Sequence, residues 1–482
     1  MATLARPEDA KTVEIPARRA IVAADTEVLV VGGGPAGLGA ALGAAGTGAE
    51  VLLVERYGFL GGNATAALVM PLVSFYTQTQ APAPQSPLTL FPGDHGQGDP
   101  VIAGALRMFL ERLVRAGGAI PPSLKTGYTV PFDPEIFKWI AMEMVAEAGV
   151  RLLFHSFASD VLLENGRIRG VVFETKSGPL VILARTVVDC TGDGDIAARA
   201  GAPFEVGRPE DGLVQPMTLM FRMAEFQRAA FEAYVTEHSD QWRGVYGLWD
   251  LIGRAAAAGD LSLPRENILF FATPHERELV VNSTRVIHVL GTEVWDLSYA
   301  EWESRRQMRQ IVSFFRKYVP GFAESYALQS GVQVGVRETR RIRGEYRLTE
   351  DDLLRVRKFP DVIARGTYPL DIHSPDGKGT VLKRLPPGEA YDIPLRSLLP
   401  LEVEALLVAG RCISGSHGAH SSYRAMPISM ATGQAAGVAA ALAAKRGTFP
   451  RQLSAETVQT ELLRQGADLG DSERISDLKN NR

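Results

Sequence analysis

Cysteine is almost absent from this chain: two residues in 482, Cys190 and Cys412, with no C-x-x-C spacing. That argues against a disulfide framework and a cysteine-held metal centre, fits a reducing compartment, and leaves both thiols as small core residues. Long apolar runs are missing as well. The stretch 435–444 stops at Lys445-Arg446, and 20–24 behind Arg18-Arg19 is too short for a leader or a membrane span. The chain is therefore read as cytoplasmic, with residues 1–24 as a disordered arm. Charge of one sign is not in excess: 51 Lys and Arg face 55 Asp and Glu, a net charge of −4. Without a basic stripe, nucleic acid is excluded as a partner. The pair His417 and His420 has H-x-x-H spacing but no third ligand nearby in sequence, so no metal is expected. The remaining composition, 46% hydrophobic and 22% charged, is that of an ordinary globular protein, and 482 residues call for two intertwined domains.

Against those absences stands a concentration of glycine after an apolar run. Val28, Leu29, Val30 and Val31 lead straight into Gly32, Gly33, Gly34, Pro35, Ala36 and Gly37, and small apolar residues continue to Ala45. Strand, tight turn and helix follow one another at G-x-G-x-x-G spacing. Gly32 permits the turn, Gly34 lets the backbone approach a pyrophosphate, and Gly37 lets the helix pack on the strand. The helix N-terminus then holds phosphate without a basic side chain. A second apolar run, 50–54, ends at Glu55, 18 residues beyond Gly37, where an acid meets a ribose hydroxyl pair.

The same kind of unit returns twice. Residues 186–195 form a strand running into Thr191, Gly192 and Asp193. Residues 405–411 form another, ending at Gly410 and Arg411, and lead through Met426-Pro427 into a small-residue helix containing Ala431 and Gly433. A glycine-rich loop with Arg56, Gly61, Gly62 and Asn63 follows Glu55. A chain that returns repeatedly to one nucleotide site suits FAD, which is long and lies across a whole sheet edge. No second G-x-G-x-x-G lies in the interior, so a built-in nicotinamide domain is unsupported.

These stretches, together with V-R-E-T-R-R-I-x-G-E-Y, D-I-H and R-x-M-P, resemble the FAD-dependent oxidoreductase family related to the succinate dehydrogenase and fumarate reductase flavoproteins. The resemblance runs from about residue 26 to about residue 445. It implies an α/β fold with a Rossmann-like, glutathione-reductase-type FAD-binding domain and an inserted mixed α+β substrate-capping domain. The FAD-binding domain is expected over 25–202 and 394–482, the cap over 203–393, and a lid in the long aperiodic loop 77–100. Fumarate reductases tie FAD to a histidine; here Gly61, Gly62, Asn63 and Ala64 occupy the corresponding loop, so non-covalent FAD is expected.

Three segments offer side chains for chemistry. In the resemblance, 414–424 lies beside the flavin ring, which makes His417 and His420 candidates for proton transfer or oxyanion contact and Arg424 a clamp for a substrate anion. Either histidine alternatively hydrogen-bonds the flavin or caps a helix. Four arginines within 337–343 are costly to bury unless paired; some pair with Glu338 and Glu345, and Arg337 and Arg340 are placed at a substrate carboxylate or at the flavin. His373 and Tyr391, at the return from cap to FAD domain, form a candidate acid/base pair, or else His373 is a satisfied loop histidine. The helix from about Ala431 is expected to aim its positive end at the flavin.

Periodicity predicts helices over 102–116, from Asp133-Pro134 to 145, and over 294–318, and a strand over 215–221. A meander over 151–182, with an Asn165-Gly166 hairpin, is expected as an antiparallel appendage. The functional expectation is hydride transfer between FAD and a small polar, carboxylated molecule, with oxygen, a quinone or a carrier as electron acceptor, and an oligomer compatible. The alternatives are a redox-neutral hydratase or lyase and a non-enzymatic FAD-fold binding protein.

Overall fold

The computed structural model describes residues 3, 6–7, 11–78, 90–92, 98–377 and 379–471. Most of the expected lid, 77–100, lies outside the described residues.

The first β-strand, Ile21–Val31, sits at the centre of a seven-stranded sheet. It pairs in parallel with Val51–Val54 on one side and with Gly178–Asp189 on the other. Val51–Val54 pairs in turn with Arg151–Leu153, and Leu406–Val408 pairs with the last residues of Gly178–Asp189, all in parallel. Near-continuous Val and Leu, fully buried in Val28–Leu29–Val30 and Leu53, is the pattern of strands covered on both faces. The parallel sheet with its glycine turn between first strand and first helix is a Rossmann-like α/β architecture.

The strand starts at Ile21 rather than inside the segment beyond the expected arm, because residues 21–24 pair with 180–182. The meander is also not an appendage. Gly178–Asp189 is one continuous strand of 12 residues. Its first half pairs antiparallel with Arg167–Thr175, its second half parallel with Leu406–Val408. The hairpin turn at Asn165-Gly166 takes the expected form, with both residues at positive φ (51° and 75°). The helix Pro134–Glu147 begins where expected, with the Asp133 carboxylate accepting from the amides of Glu135 and Ile136.

The two small-residue helices, Pro35–Gly46 and Met426–Arg446, cross at backbone contact. A Cβ added to Gly433 or Gly437 would lie 2.0 Å from the carbonyl oxygen of Ala36 or Ala40, and one on Gly39 would lie 2.1 Å from that of Met430. The second helix starts at Met426, five residues before Ala431, since Pro427 occupies a first-turn position where its missing N–H leaves no bond unmade. The segment just before it is helical too: Ser416 caps His417–Tyr423 by accepting from the Ala419 amide at 3.1 Å.

A second, antiparallel sheet carries six strands in the order Tyr326–Ser330, Phe221–Ala224, Leu279–Val281, Ile268–Ala272, Tyr246–Gly247 and Trp242–Arg243. It packs on the long helix Val294–Tyr318 through Phe231, Phe270, Phe315 and Phe322. Residues 215–220 are extended but not a strand. They make single bridges, Met217 with Val286 and Thr218 with Gly335, and regular pairing begins only at Phe221.

Gly437→Ala is expected to destabilise the protein by about 1–3 kcal/mol, because neither backbone can withdraw. Gly253→Ala, on an exposed helix with nothing within 4 Å of the added methyl, is expected to stabilise by about 0.5–1 kcal/mol. Thermal unfolding midpoints moving in opposite directions check both.

Candidate functional site

The carboxyl ends of four neighbouring parallel strands, at Val31, Val54, Asp189 and Val408, open onto one cleft of about 990 Å3. Gly32, Gly34, Pro35 and Ala36 line it from the first turn, and Gly34 caps the first helix without a side chain. The first-turn amides of that helix therefore face the cleft with no intrahelical partner, as an anion requires. Glu55 and Arg56 line it from the second strand. The buried Glu55 carboxylate accepts from the amide of Gly33 at 2.6 Å and of Tyr57 at 3.0 Å, fixing both turns; burial pushes its pKa up against those bonds.

The glycine-rich loop closes over the turn. Gly61 donates its amide to the Gly33 carbonyl at 2.8 Å, and a Cβ on Gly62 would lie 2.8 Å from the Gly34 Cα. Gly62 and Asn63 line the cleft, while Gly61 supports from behind. From the third strand, Thr191 and Gly192 line it, as does Asp195. Asp193 does not: its carboxylate accepts from Arg411 at 2.7 Å and Thr339 at 2.6 Å. That ion pair holds Arg411, which lines the cleft with Gly410.

Two expectations at the last helix need correction. Ala431 and Gly433 lie inside the helix, away from the cleft, and Gly433 is needed for contact with Ala36. Met426 and Ser429, in its first turn, face the cleft instead.

A second cavity of about 1000 Å3 adjoins the first, sharing Asn63, Arg411, Arg424 and Met426. Val69, Met220 and Phe271 give it apolar walls; Arg337, Tyr368, Asp371, His373 and Arg424 form a polar end. Arg424 donates to the Asp371 carboxylate at 3.4 Å, and Tyr368 donates to it at 3.0 Å. Burial opposes the ionised form of Asp371, but His373, the Arg424 charge and the bond from Tyr368 together hold its pKa well below the usual carboxylate range. His373 Nε2 lies 3.3 Å from Asp371 and Nδ1 lies 3.3 Å from the Thr380 hydroxyl. Burial, with Arg337 and Arg424 close by, pushes His373 down to about 4, so it is neutral at pH 7. With Asp371 ionised, Nε2 carries the proton and Nδ1 accepts from Thr380.

Arg337 donates to the Pro216 carbonyl at 2.7 Å and the Thr218 hydroxyl at 2.6 Å. Burial and the Arg424 charge push its pKa down, yet a guanidinium stays charged at neutral pH. Near it, Arg265 and Arg285 bond, among the described residues, only to backbone carbonyls and the Asn267 side-chain oxygen. Arg424 pairs with Asp371, while Arg337, with Arg285 and Arg265 near it, has no ion pair among the described residues, which leaves the region positive.

The structure separates the remaining candidates from these cavities. His417 Nδ1 lies 2.9 Å from Glu338, which is fully buried and also ion-paired with Arg341. His420 is fully buried with neither ring nitrogen partnered among the described residues; burial, then Arg341, Arg424 and Arg411, push its pKa well down. Neither histidine lines either cavity. Tyr391 is not paired with His373: its buried hydroxyl meets Ser422 at 2.8 Å. Sequence reasoning missed Tyr368, Thr218, Asn282, Gln333 and Ser429, and only Tyr368 carried a signal, standing three residues before Asp371 of the D-I-H motif.

A family model described as FAD dependent oxidoreductase matches residues 27–462. The chain is 29% identical to thiamine thiazole synthase of Aeropyrum pernix over 203 residues, 40% of this chain and 63% of that protein. It is 27% identical to the thiamine thiazole synthase of Methanococcus aeolicus over 177 residues, 35% of this chain and 55% of that protein. The matches thus span less than two thirds of either relative. Among solved structures it is similar to p-nitrophenol 4-monooxygenase from Pseudomonas putida DLL-E4, with a TM-score of 0.48 and 9% identity over 94% of this chain and 92% of that one. A geranylgeranyl bacteriochlorophyll reductase-like protein from Thermoplasma acidophilum gives a TM-score of 0.42 and 15% identity over 92% and 84%.

Gly34→Val is expected to fold, since its Cβ meets only the Gly62 Cα at 3.7 Å, but to fill the cleft floor and lose flavin absorbance after gel filtration. Gly37→Val, whose Cβ would lie 1.8 Å from the Gly32 carbonyl oxygen, is expected not to fold, as circular dichroism would report. In acid, the unfolded chain protonates His373 and His420 near pH 6.5 while the folded protein resists. Stability is therefore present above pH 6.5 and falls as pH drops, by about 1.4 kcal/mol per pH unit and group. His420→Phe is expected to flatten that slope in urea titrations between pH 6.5 and 4.

Proposed function

The chain belongs to the FAD-dependent oxidoreductase family, with FAD as its cofactor, and from that premise we propose that it oxidises or reduces a small anionic molecule held in the second cavity. The residues around the first cleft fit the cofactor: an uncapped helix N-terminus for the pyrophosphate, Glu55 at the end of the second strand for the ribose, and a groove continuing toward Asn63 and Met426. The loop at 61–64 carries no histidine, which fits a non-covalent attachment. When bound, FAD supplies the hydride acceptor or donor.

The observation that carries this reading is the excess of arginine over carboxylate at the polar end of the second cavity. Arg337 and Arg424 hold the anionic group of the substrate, and Arg265 and Arg285 add to the field behind them. Buried cations without carboxylates are unfavourable in isolation, and a bound anion removes that imbalance. Asp371, His373 and Thr380 form a chain from the cavity to the surface, since Thr380 is exposed. His373, with Nε2 donating to Asp371 and Nδ1 accepting from Thr380, orients Asp371 at the cavity wall. Met220, Phe271 and Val69 keep water from the reacting end.

Arg337 lines only the second cavity. Arg337→Lys is expected to keep FAD and raise KM for an anionic substrate at least about tenfold, the loss of one charge-assisted bond. The measurement is anaerobic bleaching of the flavin by a panel of carboxylates and their neutral amides. Bleaching by the amides alone, indifferent to Arg337, would overturn the reading.

A further inference from the structure

The second cavity presents two unmatched polar atoms of opposite kind. One is a donor, Arg424 Nε, buried without a partner among the described residues. The other is an acceptor. Asn282 follows the strand Leu279–Val281 and lines the cavity from the antiparallel sheet. Its backbone is fixed on both sides: the amide donates to the Leu269 carbonyl at 2.9 Å, and the carbonyl accepts from Arg265 at 2.9 Å. Its side-chain oxygen is buried and has no hydrogen-bond partner among the described residues. An acceptor left unmade in a cavity wall is matched by a ligand donor.

We infer that Asn282 determines specificity by accepting a hydrogen bond from a hydroxyl group on the anionic substrate, whose class is then a hydroxylated carboxylate with an apolar body. This rests on the proposal that Arg337 and Arg424 hold an anion. The other ligand donor, an ammonium, is disfavoured by the charge around the site. Arg265 bonds to Asn282 itself, and Arg285, Arg337 and Arg424 stand with it against the single carboxylate of Asp371. A neutral hydroxyl satisfies Asn282 without that repulsion. Val69, Met220 and Phe271 provide the apolar surface for the body of the molecule.

The test uses the FAD-loaded protein and three probes that share a phenyl body and a carboxylate: mandelate, phenylacetate and phenylglycine. Dissociation constants are read from perturbation of the visible flavin spectrum. Mandelate is expected to bind about tenfold more tightly than phenylacetate, the worth of one hydrogen bond to a site built for it, with phenylglycine weakest. Asn282→Leu and Asn282→Ala are each expected to remove the preference by weakening mandelate alone, with phenylacetate unchanged. A variant that has lost FAD is replaced by the other. Equal binding of mandelate and phenylacetate to the wild type, or a preference that survives in a loaded variant, overturns the role of Asn282. If carboxylate binding in that case still depends on Arg424, shown by its loss in Arg424→Ala, the anion site stands and only this inference fails. Failure of every carboxylate to bind the wild type overturns both.

Discussion

The site depends on one close contact, the crossing of the helices Pro35–Gly46 and Met426–Arg446 at backbone distance. Gly39 and Gly43 on one and Gly433 and Gly437 on the other have carbonyl oxygens of the opposite helix where a Cβ would stand. That contact brings both helix N-termini to the same edge of the parallel sheet. One end forms the floor of the nucleotide cleft at Gly34, and the other brings Met426 and Ser429 to its wall. Side chains of any size between the helices would separate those two ends. The helices gain little from amphipathic patterning, being apolar all round, and are held by packing on both sides.

A second consequence of the fold is the uneven distribution of charge. Around the cleft, charges are matched: Asp193 with Arg411, Arg340 with Asp195, and Glu338 with Arg341 and His417. Around the second cavity they are not, since Arg265, Arg285 and Arg337 have no ion pair among the described residues and Arg424 shares Asp371 with His373. Matched pairs serve to hold loops in place. Unmatched buried arginines serve no such end, and a ligand anion gives them one. Burial, with that field added, keeps His373 neutral although Asp371 touches it.

Much of the nucleotide half was legible because its signals are local. The turn at Gly32 and Gly34, the acid Glu55 and the strand ends at Thr191 and Gly410 each announce themselves within a few residues, and all line the cleft or border it. Errors arose where a local signal had two readings. Gly433 reads as a flavin-side glycine or as a helix contact, and only the partner helix decides between them. The segment around Ser416 reads as loop by composition, although a serine cap starts a helix there. Gly178–Asp189 was divided because its two halves pair with different neighbours, one antiparallel and one parallel.

The sequence by itself determined the dinucleotide-binding turn, the parallel strands behind it and the family, because glycine spacing and β-branched runs constrain the backbone at short range. Tertiary structure alone decided which polar residues face the second cavity. His417, His420 and His373 look alike in sequence, yet the first is held by Glu338, the second is sealed in the core, and only the third reaches the cavity beside Arg337. Arg337, Asn282 and His373 come from segments separated by tens of residues, and no short-range rule sets their distance. What places them together is the packing of the antiparallel sheet against the strand ends of the nucleotide fold, a long-range result of burying both cores at once.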